Sequence, residues 1–294
     1  MSAPYRKAVL VVFAYRLAAG LVVGYPMARA FGALGATSLP DGDLELFAPR
    51  GFRLMETLRL GARPLVAAVE SGLLASVVVG VGAVVPLVFA LSALAAPDAD
   101  ARSTASRTAD RLSASLLVSG LGLVLKAALV ALLSGFGFAA GLAAFGSFHD
   151  ERVPDLGGVL FAAPGLVLVT GVGLATDLAL AILARLGGAA LGALSRAVSL
   201  LRSRPGAVLR AFTENVVGAS LLVVSAAWLT GAIDVSRPGG LRIFAVVLVH
   251  QTAVFGVVAL RMRYFGALVA LVPEPPGESA DPGDLSGRAS GVPG

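Results

Sequence analysis

Long apolar runs, separated by shorter polar segments, dominate this chain. Six runs reach the roughly 20 mostly apolar residues that a helix needs to cross the hydrocarbon layer of a bilayer. The runs are continuous rather than alternating, which favours membrane helices over the strands of a membrane barrel. The predicted spans lie near residues 8–34, 66–96, 112–145, 159–186, 215–233 and 243–260. The pattern predicts an all-α, polytopic helical membrane protein with a single transmembrane domain over residues 1–272.

Two segments between the spans have the pattern of amphipathic helices, near residues 52–62 and 189–204. The second carries four aliphatic side chains at helical spacing, Leu191, Leu194, Val198 and Leu201. Helices of this kind lie in the headgroup layer of a membrane. Both segments end in Arg-Pro ahead of an apolar run, which suggests two halves built on one plan. Three spans in each half would give inverted halves, as in many transporters.

The remaining joints and the two ends of the chain are polar or charged. Residues 97–114 are rich in Ser, Thr, Asp and Arg, and predict a solvated loop before the third span. Residues 273–294 have no apolar period, and predict a disordered C-terminal tail. At the start, Arg6, Lys7 and the apolar run after them also fit a signal peptide. Because Arg16 interrupts that run, an uncleaved first helix is the preferred interpretation.

The composition agrees with a membrane as the solvent. Charged residues make up 14% of the chain, whereas soluble domains carry about 25%. The chain has no Cys, which excludes disulfides, thiolate catalysis and Cys-ligated metal sites. It also lacks a phosphate-binding loop and the H-E-x-x-H and G-x-S-x-G motifs. We therefore expect no metal, no cofactor and no enzymatic activity.

The distribution of Arg and Lys predicts how the chain is oriented. If the N-terminus is inside, the cytoplasmic segments hold nearly twice as many basic residues as the outer segments. Cytoplasmic loops of membrane proteins carry such an excess, so both termini are expected in the cytoplasm, with the chain in the inner (plasma) membrane. The placement of basic residues between apolar runs favours anionic lipid headgroups over nucleic acid as their partner. The predicted headgroup contacts are Arg196, Arg202, Arg204 and Arg210.

Four ionisable side chains interrupt the predicted spans: Arg16, Lys126, Asp177 and His250, with Gln251 beside the last. Charges within spans are costly, and they usually face a bundle interior or a water-filled cavity. The helical rise places Arg16 and Asp177 at a similar depth, about 13 Å from the cytoplasmic ends of their helices. We therefore expect a salt bridge between Arg16 and Asp177, with His250 near Lys126. These five residues are the candidates for a buried polar site.

These charges leave more than one function open. A paired set in a dry bundle would fix helix register in a non-catalytic membrane protein that is structural or binds a partner subunit. A set that reaches a polar cavity at mid-membrane would suit a small-solute permease, or the membrane subunit of a transporter driven by a separate ATPase. An intramembrane enzyme acting on lipid has the least support, because the spans contain no carboxylate pair at short spacing. The non-catalytic role is the favoured prediction.

The stretch LSRAVSLLRSRPGAVLRAF, from Leu194 to Phe212, lies between an apolar run and the fifth span. Together with residues 176–272 around it, this stretch resembles poorly characterised bacterial six-helix membrane proteins. Some of those are similar to the membrane domain attached to glycerophosphodiester phosphodiesterases. The resemblance is one of pattern and implies membrane residence. No catalytic residue is carried over, because the soluble phosphodiesterase domain has no counterpart in this sequence.

Overall fold

A computed structural model describes residues 3–38, 62–145, 152–233 and 240–273. The helices of these ranges are α1 (Ala3–Ser38), α2 (Ala62–Gly82), α3 (Val84–Ala95), α4 (Ala101–Phe145), α5 (Arg152–Leu186), α6 (Ala190–Ser203), α7 (Pro205–Ala232) and α8 (Gly240–Leu271). Six helical segments of the described residues are long and apolar enough to cross a membrane, and α2 and α3 together form one of them. The predicted all-α, polytopic fold class is therefore confirmed. The predicted amphipathic helix at 52–62 (Ala62 apart) and the predicted tail after Pro273 lie outside the described residues.

Helix α4 begins at Ala101, inside the stretch 97–114 that the sequence predicts as a loop. That prediction is wrong beyond Asp100. The Asp100 carboxylate accepts a hydrogen bond from the backbone N–H of Ser103 (2.9 Å) and caps the start of the helix. Hydrogen bonding by Ser103, through its side chain and its backbone N–H, lowers the pKa of the Asp100 carboxyl below its ordinary value of 3.8. The cap is therefore in its charged form at neutral pH.

The polar residues at the start of α4 are compatible with a helix because their hydroxyl groups donate hydrogen bonds to backbone carbonyls four residues earlier. The Thr104 hydroxyl donates to the Asp100 carbonyl (2.9 Å), and the Thr108 hydroxyl donates to the Thr104 carbonyl (2.7 Å). Buried and half-buried positions of α4 recur at alternating intervals of four and three, at Thr104, Thr108, Arg111, Ser115, Val118 and Gly122. This alternation is typical of helices that pack side by side along their length.

Helices α7 and α8 also extend well beyond their predicted spans, and one span is interrupted. Helix α7 begins at Pro205, because proline fits the first turn, where a backbone N–H has no partner in any helix. Helix α8 continues past the predicted end of the sixth span to Leu271. The second span changes from α2 to α3 at Ala83, three residues before Pro86. Pro86 has no N–H to donate, so one hydrogen bond of the regular series is missing there. The series continues on either side, because the Ala83 N–H donates to the Val79 carbonyl (2.9 Å) and the Leu87 N–H to the Ala83 carbonyl (3.3 Å).

The buried core lies at one end of the bundle, which we call the inner end. It is built from the starts of α1, α4 and α7, the ends of α5 and α8, and helices α3 and α6. Its fully buried side chains include Val9, Leu91, Leu178, Val208 and Phe265. Toward the opposite, outer end the large apolar side chains are mostly exposed, for example Leu74 at 70% and Trp228 at 73%. Such faces are expected of helices dissolved in lipid, where the bilayer supplies the apolar surroundings.

Three helical hairpins, α1–α2, α4–α5 and α7–α8, account for much of the packing between the spans. The α4–α5 hairpin has the longest contact. Its helices approach closely at Gly122, where an added Cβ would lie 2.9 Å from the Thr176 Cγ2 and 3.3 Å from its Cβ. Small residues permit such close approach between membrane helices. This contact fixes the register of α4 against α5.

Two glycines turn the chain from α5 into α6. Gly187 and Gly188 have φ angles of 69° and 96°, in the left-handed region that favours glycine. The Gly187 N–H donates to the Leu183 carbonyl (2.9 Å), as in a common helix C-terminal motif. The turn places α6 against α5, with Ala193 and Ala197 buried.

The close approach at Gly122 gives a testable prediction. We expect Gly122→Ala to lower the free energy of unfolding by about 1–3 kcal/mol, because the new methyl group overlaps the Thr176 side chain. Gly120→Ala, two residues away on the same helix with open space around the position, should be neutral or stabilise by up to about 1 kcal/mol. Denaturation of both variants in mixed micelles, followed by circular dichroism, measures the difference. Equal effects of the two substitutions would contradict the α4–α5 register.

Candidate functional site

Asp177 and Arg261 form an ion pair between α5 and α8 at the inner end of the bundle. The Arg261 Nη2 atom lies 2.9 Å from each of the two Asp177 carboxylate oxygens. The Asp177 side chain is 13% exposed and the Arg261 side chain 35%. Hydrogen bonds between charged groups are shorter and stronger than those between neutral groups. The pair therefore ties the fourth span to the sixth.

Aromatic rings hold the same guanidinium from another side. The Arg261 Cζ atom lies 5.2 Å from the centroid of the Tyr264 ring and 4.8 Å from that of Phe265. A cation in such a position is attracted by the negative face of the ring. The Tyr264 ring in turn packs edge-on against Phe212 of α7, with the centroids 6.4 Å apart. The ion pair is thus connected to the fifth span as well.

The predicted salt bridge between Arg16 and Asp177 is wrong, because the partner of Asp177 is Arg261. Arg261 comes directly after the predicted sixth span, which ends at residue 260. The run YFGALVALV that follows Arg263 was the available signal. It continues α8 by about ten residues after Arg261, so that this side chain lies within the helix and faces α5.

Arg16 and Lys126 are two further cations near the pair. Arg16 interacts electrostatically with Arg261, and Lys126 with Asp177. Arg16 is exposed and Lys126 is half-buried. Neither forms a salt bridge with another described residue. Arg261 and Lys126 therefore lie near the Asp177 carboxylate, and Arg16 lies near Arg261, so positive charge exceeds negative charge in this region.

His250 and Gln251 lie apart from this cluster, about three helical turns outward from Arg261 on α8. His250 is exposed and Gln251 is half-buried. Among the described residues no hydrogen bond or ion pair joins His250 to Lys126. Arg16 and His250 are thus more exposed within the protein than Lys126 and Gln251, and their place in a buried polar site stays a prediction.

Two arginines that were not among the predicted site residues donate hydrogen bonds to backbone carbonyls at helix ends. The Arg111 guanidinium on α4 donates to the Ala184 carbonyl in the last turn of α5. The Arg185 guanidinium on α5 donates to the Val269 carbonyl in the last turn of α8 (2.9 Å). The last four carbonyls of a helix have no partner within it, and cations are favourable there. The sequence predicts a loop at Arg111 and the last turn of a span at Arg185, and gives a contact with a helix end for neither.

The four predicted headgroup contacts are all exposed on the surface of the inner end: Arg196, Arg202, Arg204 and Arg210. Helix α6 packs through Ala193 and Ala197, and not through the whole predicted aliphatic stripe. Within that stripe, Leu191 is 75% exposed and Val198 39%. Exposed aliphatic side chains beside arginines suit a helix in the headgroup layer. The contact with anionic headgroups stays a prediction.

A small cavity of about 70 Å³ lies between α7 and α8. Its polar lining residues are Glu214, Asn215, Arg263 and Tyr264. Glu214 accepts a hydrogen bond from Arg210 Nε (3.0 Å) and lies 3.8 Å from Arg263 Nη2. A cavity of this size holds a few water molecules. In the part of the chain that the structure describes, no three His, Asp or Glu side chains are grouped as a metal site requires.

The ion pair gives a second prediction. We expect Asp177→Asn to lower the free energy of unfolding by on the order of 3 kcal/mol, because Arg261 then has no counter-charge and lies near Arg16. The double variant Asp177→Asn/Arg261→Gln should recover more than half of this loss. A double-mutant cycle measured by denaturation in mixed micelles checks the coupling. Asp177→Asn/Arg16→Gln is the matched control, and an equal recovery there would contradict the assigned pairing.

Comparison with known proteins identifies no relative of this chain: no family model, no curated protein and no solved structure matches it.

Proposed function

We propose that this chain is a non-catalytic, multi-pass protein of the cell's inner (plasma) membrane that acts by binding a partner subunit or domain. The observation that carries the proposal is the pairing of Asp177 with Arg261. The Asp177 carboxylate is engaged in a contact between two helices. Its chemistry is that of a structural connection. The resemblance to membrane domains attached to a soluble enzyme also supports a role beside another domain.

Two surfaces suit a partner within or beside the membrane. The outer halves of the three hairpins present large exposed apolar side chains. At the inner end, α6 presents exposed arginines next to Leu191 and Val198. The first surface suits the helices of a membrane subunit, and the second suits anionic headgroups. A separate ATPase is the soluble partner that the transporter alternative would require.

A photocrosslinking experiment tests partner binding. A photoreactive phenylalanine analogue is placed in turn at Leu74 on α2, Val167 on α5 and Trp228 on α7, which are all at least 70% exposed. In native membranes we expect a discrete protein product from one hairpin, and neighbouring sites should give it at helical spacing. The buried position Leu178 is the control. Products with lipid alone from all three hairpins would contradict a membrane partner.

Passage of a small anionic solute is the second candidate function. The surplus charge of Arg16 and Lys126 favours it, because uncompensated cations within spans often mark a solute pathway. Proteoliposomes loaded with the protein separate the two candidates. Uptake of labelled phosphate that exceeds that of protein-free vesicles, and that falls in Arg16→Gln/Lys126→Gln, would favour transport over partner binding.

The proposed orientation, with both termini in the cytoplasm, has its own test. The chain has no Cys, so each introduced Cys is a unique label. Arg102 and Ala144 are exposed and lie near opposite ends of α4. We expect an impermeant maleimide added to intact cells to label Ala144→Cys at once, and Arg102→Cys only after permeabilisation. The reverse pattern would contradict the orientation.

A further inference from the structure

Glu214 on α7 lies between two arginines at the small cavity between α7 and α8. Its Oε1 atom accepts a hydrogen bond from Arg210 Nε (3.0 Å), and its Oε2 atom lies 3.8 Å from Arg263 Nη2. The second distance is too long for a hydrogen bond, and the first bond uses one of the five N–H donors of Arg210. Two guanidinium charges therefore oppose one carboxylate charge, and both arginines keep donors for a further anion.

The cavity beside this charged group has room for part of a polar headgroup. The small side chains of Ala211 and Ala267 border a space of about 70 Å³, which is also lined by Asn215. Asn215 is half-buried, and its side-chain amide carries two N–H donors. A space that holds a few water molecules also holds the oxygen atoms of a bound anion.

The charged group lies where the uncharged length of both helices begins. Between Glu214 and the end of α7 at Ala232 there is no Asp, Glu, Lys or Arg over about 27 Å. On α8 the same holds between Arg242 and Arg261, over about 28 Å, and Arg263 follows two residues later. Both lengths match the roughly 30 Å of a hydrocarbon core. Glu214 and Arg263 are therefore at the level where the phosphates of one leaflet begin.

An apolar track leads from the charged group toward the outer end of α7. Val217, Leu221 and Val224 follow Glu214 at intervals of three, four and three residues, which places all of them on one face of the helix. The three aliphatic side chains are more than half exposed. An acyl chain fits along such a face. The charged group and the track together match the two parts of a phospholipid.

We propose that Arg210, Arg263 and Asn215 bind the phosphate of an anionic phospholipid from the leaflet at the inner end of the bundle. The planar fork of a guanidinium matches the geometry of phosphate oxygens. Glu214 holds the two arginines at the cavity and opposes one of their two charges. The surplus charge favours an anionic lipid over a zwitterionic one, and the apolar track favours a lipid over free phosphate.

This site goes beyond the proposed binding of a partner subunit and does not depend on it. It also does not depend on which side of the membrane the inner end faces. Arg210 is among the predicted headgroup contacts, whereas Arg263 and Asn215 are not. The site therefore adds a second helix to that prediction and limits it to one lipid at one cavity.

Thermal unfolding of the full chain in a neutral detergent tests the site. Short-chain phosphatidylglycerol, phosphatidylcholine of equal chain length, or sodium phosphate is added at matched ionic strength. The rise in Tm with concentration gives an apparent Kd for each probe. We expect phosphatidylglycerol to bind most tightly, and its affinity to fall about fivefold in Arg263→Gln. Arg263→Lys should retain most of the affinity. Arg102→Gln removes an exposed arginine at the start of α4, and this matched control should behave as the parent.

Glu214→Gln separates a lipid site from an ion pair that only joins two helices. Loss of the carboxylate leaves both arginines available to the phosphate, so the affinity for phosphatidylglycerol should rise about fivefold. The Tm of the ligand-free variant should change little, because exposed ion pairs contribute little to stability. A misfolded protein does not gain affinity. Equal stabilisation by phosphatidylcholine or by sodium phosphate, an unchanged affinity in Arg263→Gln, or no gain in Glu214→Gln overturns the inference.

Discussion

The Arg261 guanidinium holds the ends of several helices at one place. It bonds to Asp177 on α5, and it lies against the Tyr264 and Phe265 rings of its own helix. Between helices in lipid there is little hydrophobic driving force, so polar contacts and close packing determine which helices associate. Arg185 adds a second connection between α5 and α8 through the last turn of α8. Helices α3 and α6, with the starts of α1, α4 and α7, pack around these two contacts at the inner end.

The molecule has two regions with different physical character. At the inner end the side chains interlock. Backbone carbonyls at helix ends accept hydrogen bonds from arginines of neighbouring helices, as the last turn of α5 does from Arg111. In the outer halves the contacts are mainly within hairpins, and the apolar faces are open to lipid. A change at the outer face of one hairpin can therefore reach another hairpin chiefly through the inner end. This arrangement suits a protein whose outer faces receive a partner while its inner end keeps the fold.

Much of the fold could be predicted from the sequence, because a long apolar run in a membrane can form few structures other than a helix. The number of spans and the residues that interrupt them follow from that pattern alone. The starts of α4 and α7 could not be located this way, since hydropathy marks where lipid begins and not where a helix begins. The polar composition around Thr104 and Thr108 suggests a loop, although their spacing of four residues is that of a helix. The partner of Asp177 was missed for the same reason, because Arg261 looked like the end of a span.

The predicted salt bridge rested on backbone depth and left out the direction in which side chains lean along a helix. The depth of the backbone alone placed Arg16 level with Asp177. Side chains lean toward the N-terminus of their helix, so on two antiparallel helices the charged groups shift by several ångströms in opposite directions. With this shift included, Lys126 approaches the pair from the outer side without displacing Arg261. A structural role accounts for Arg261 and Asp177, which neutralise each other. It does not account for the other two cations, each of which costs about 3 kcal/mol at mid-membrane before relaxation. Since folded proteins are stable by only about 5–15 kcal/mol, two such charges require compensation from their surroundings.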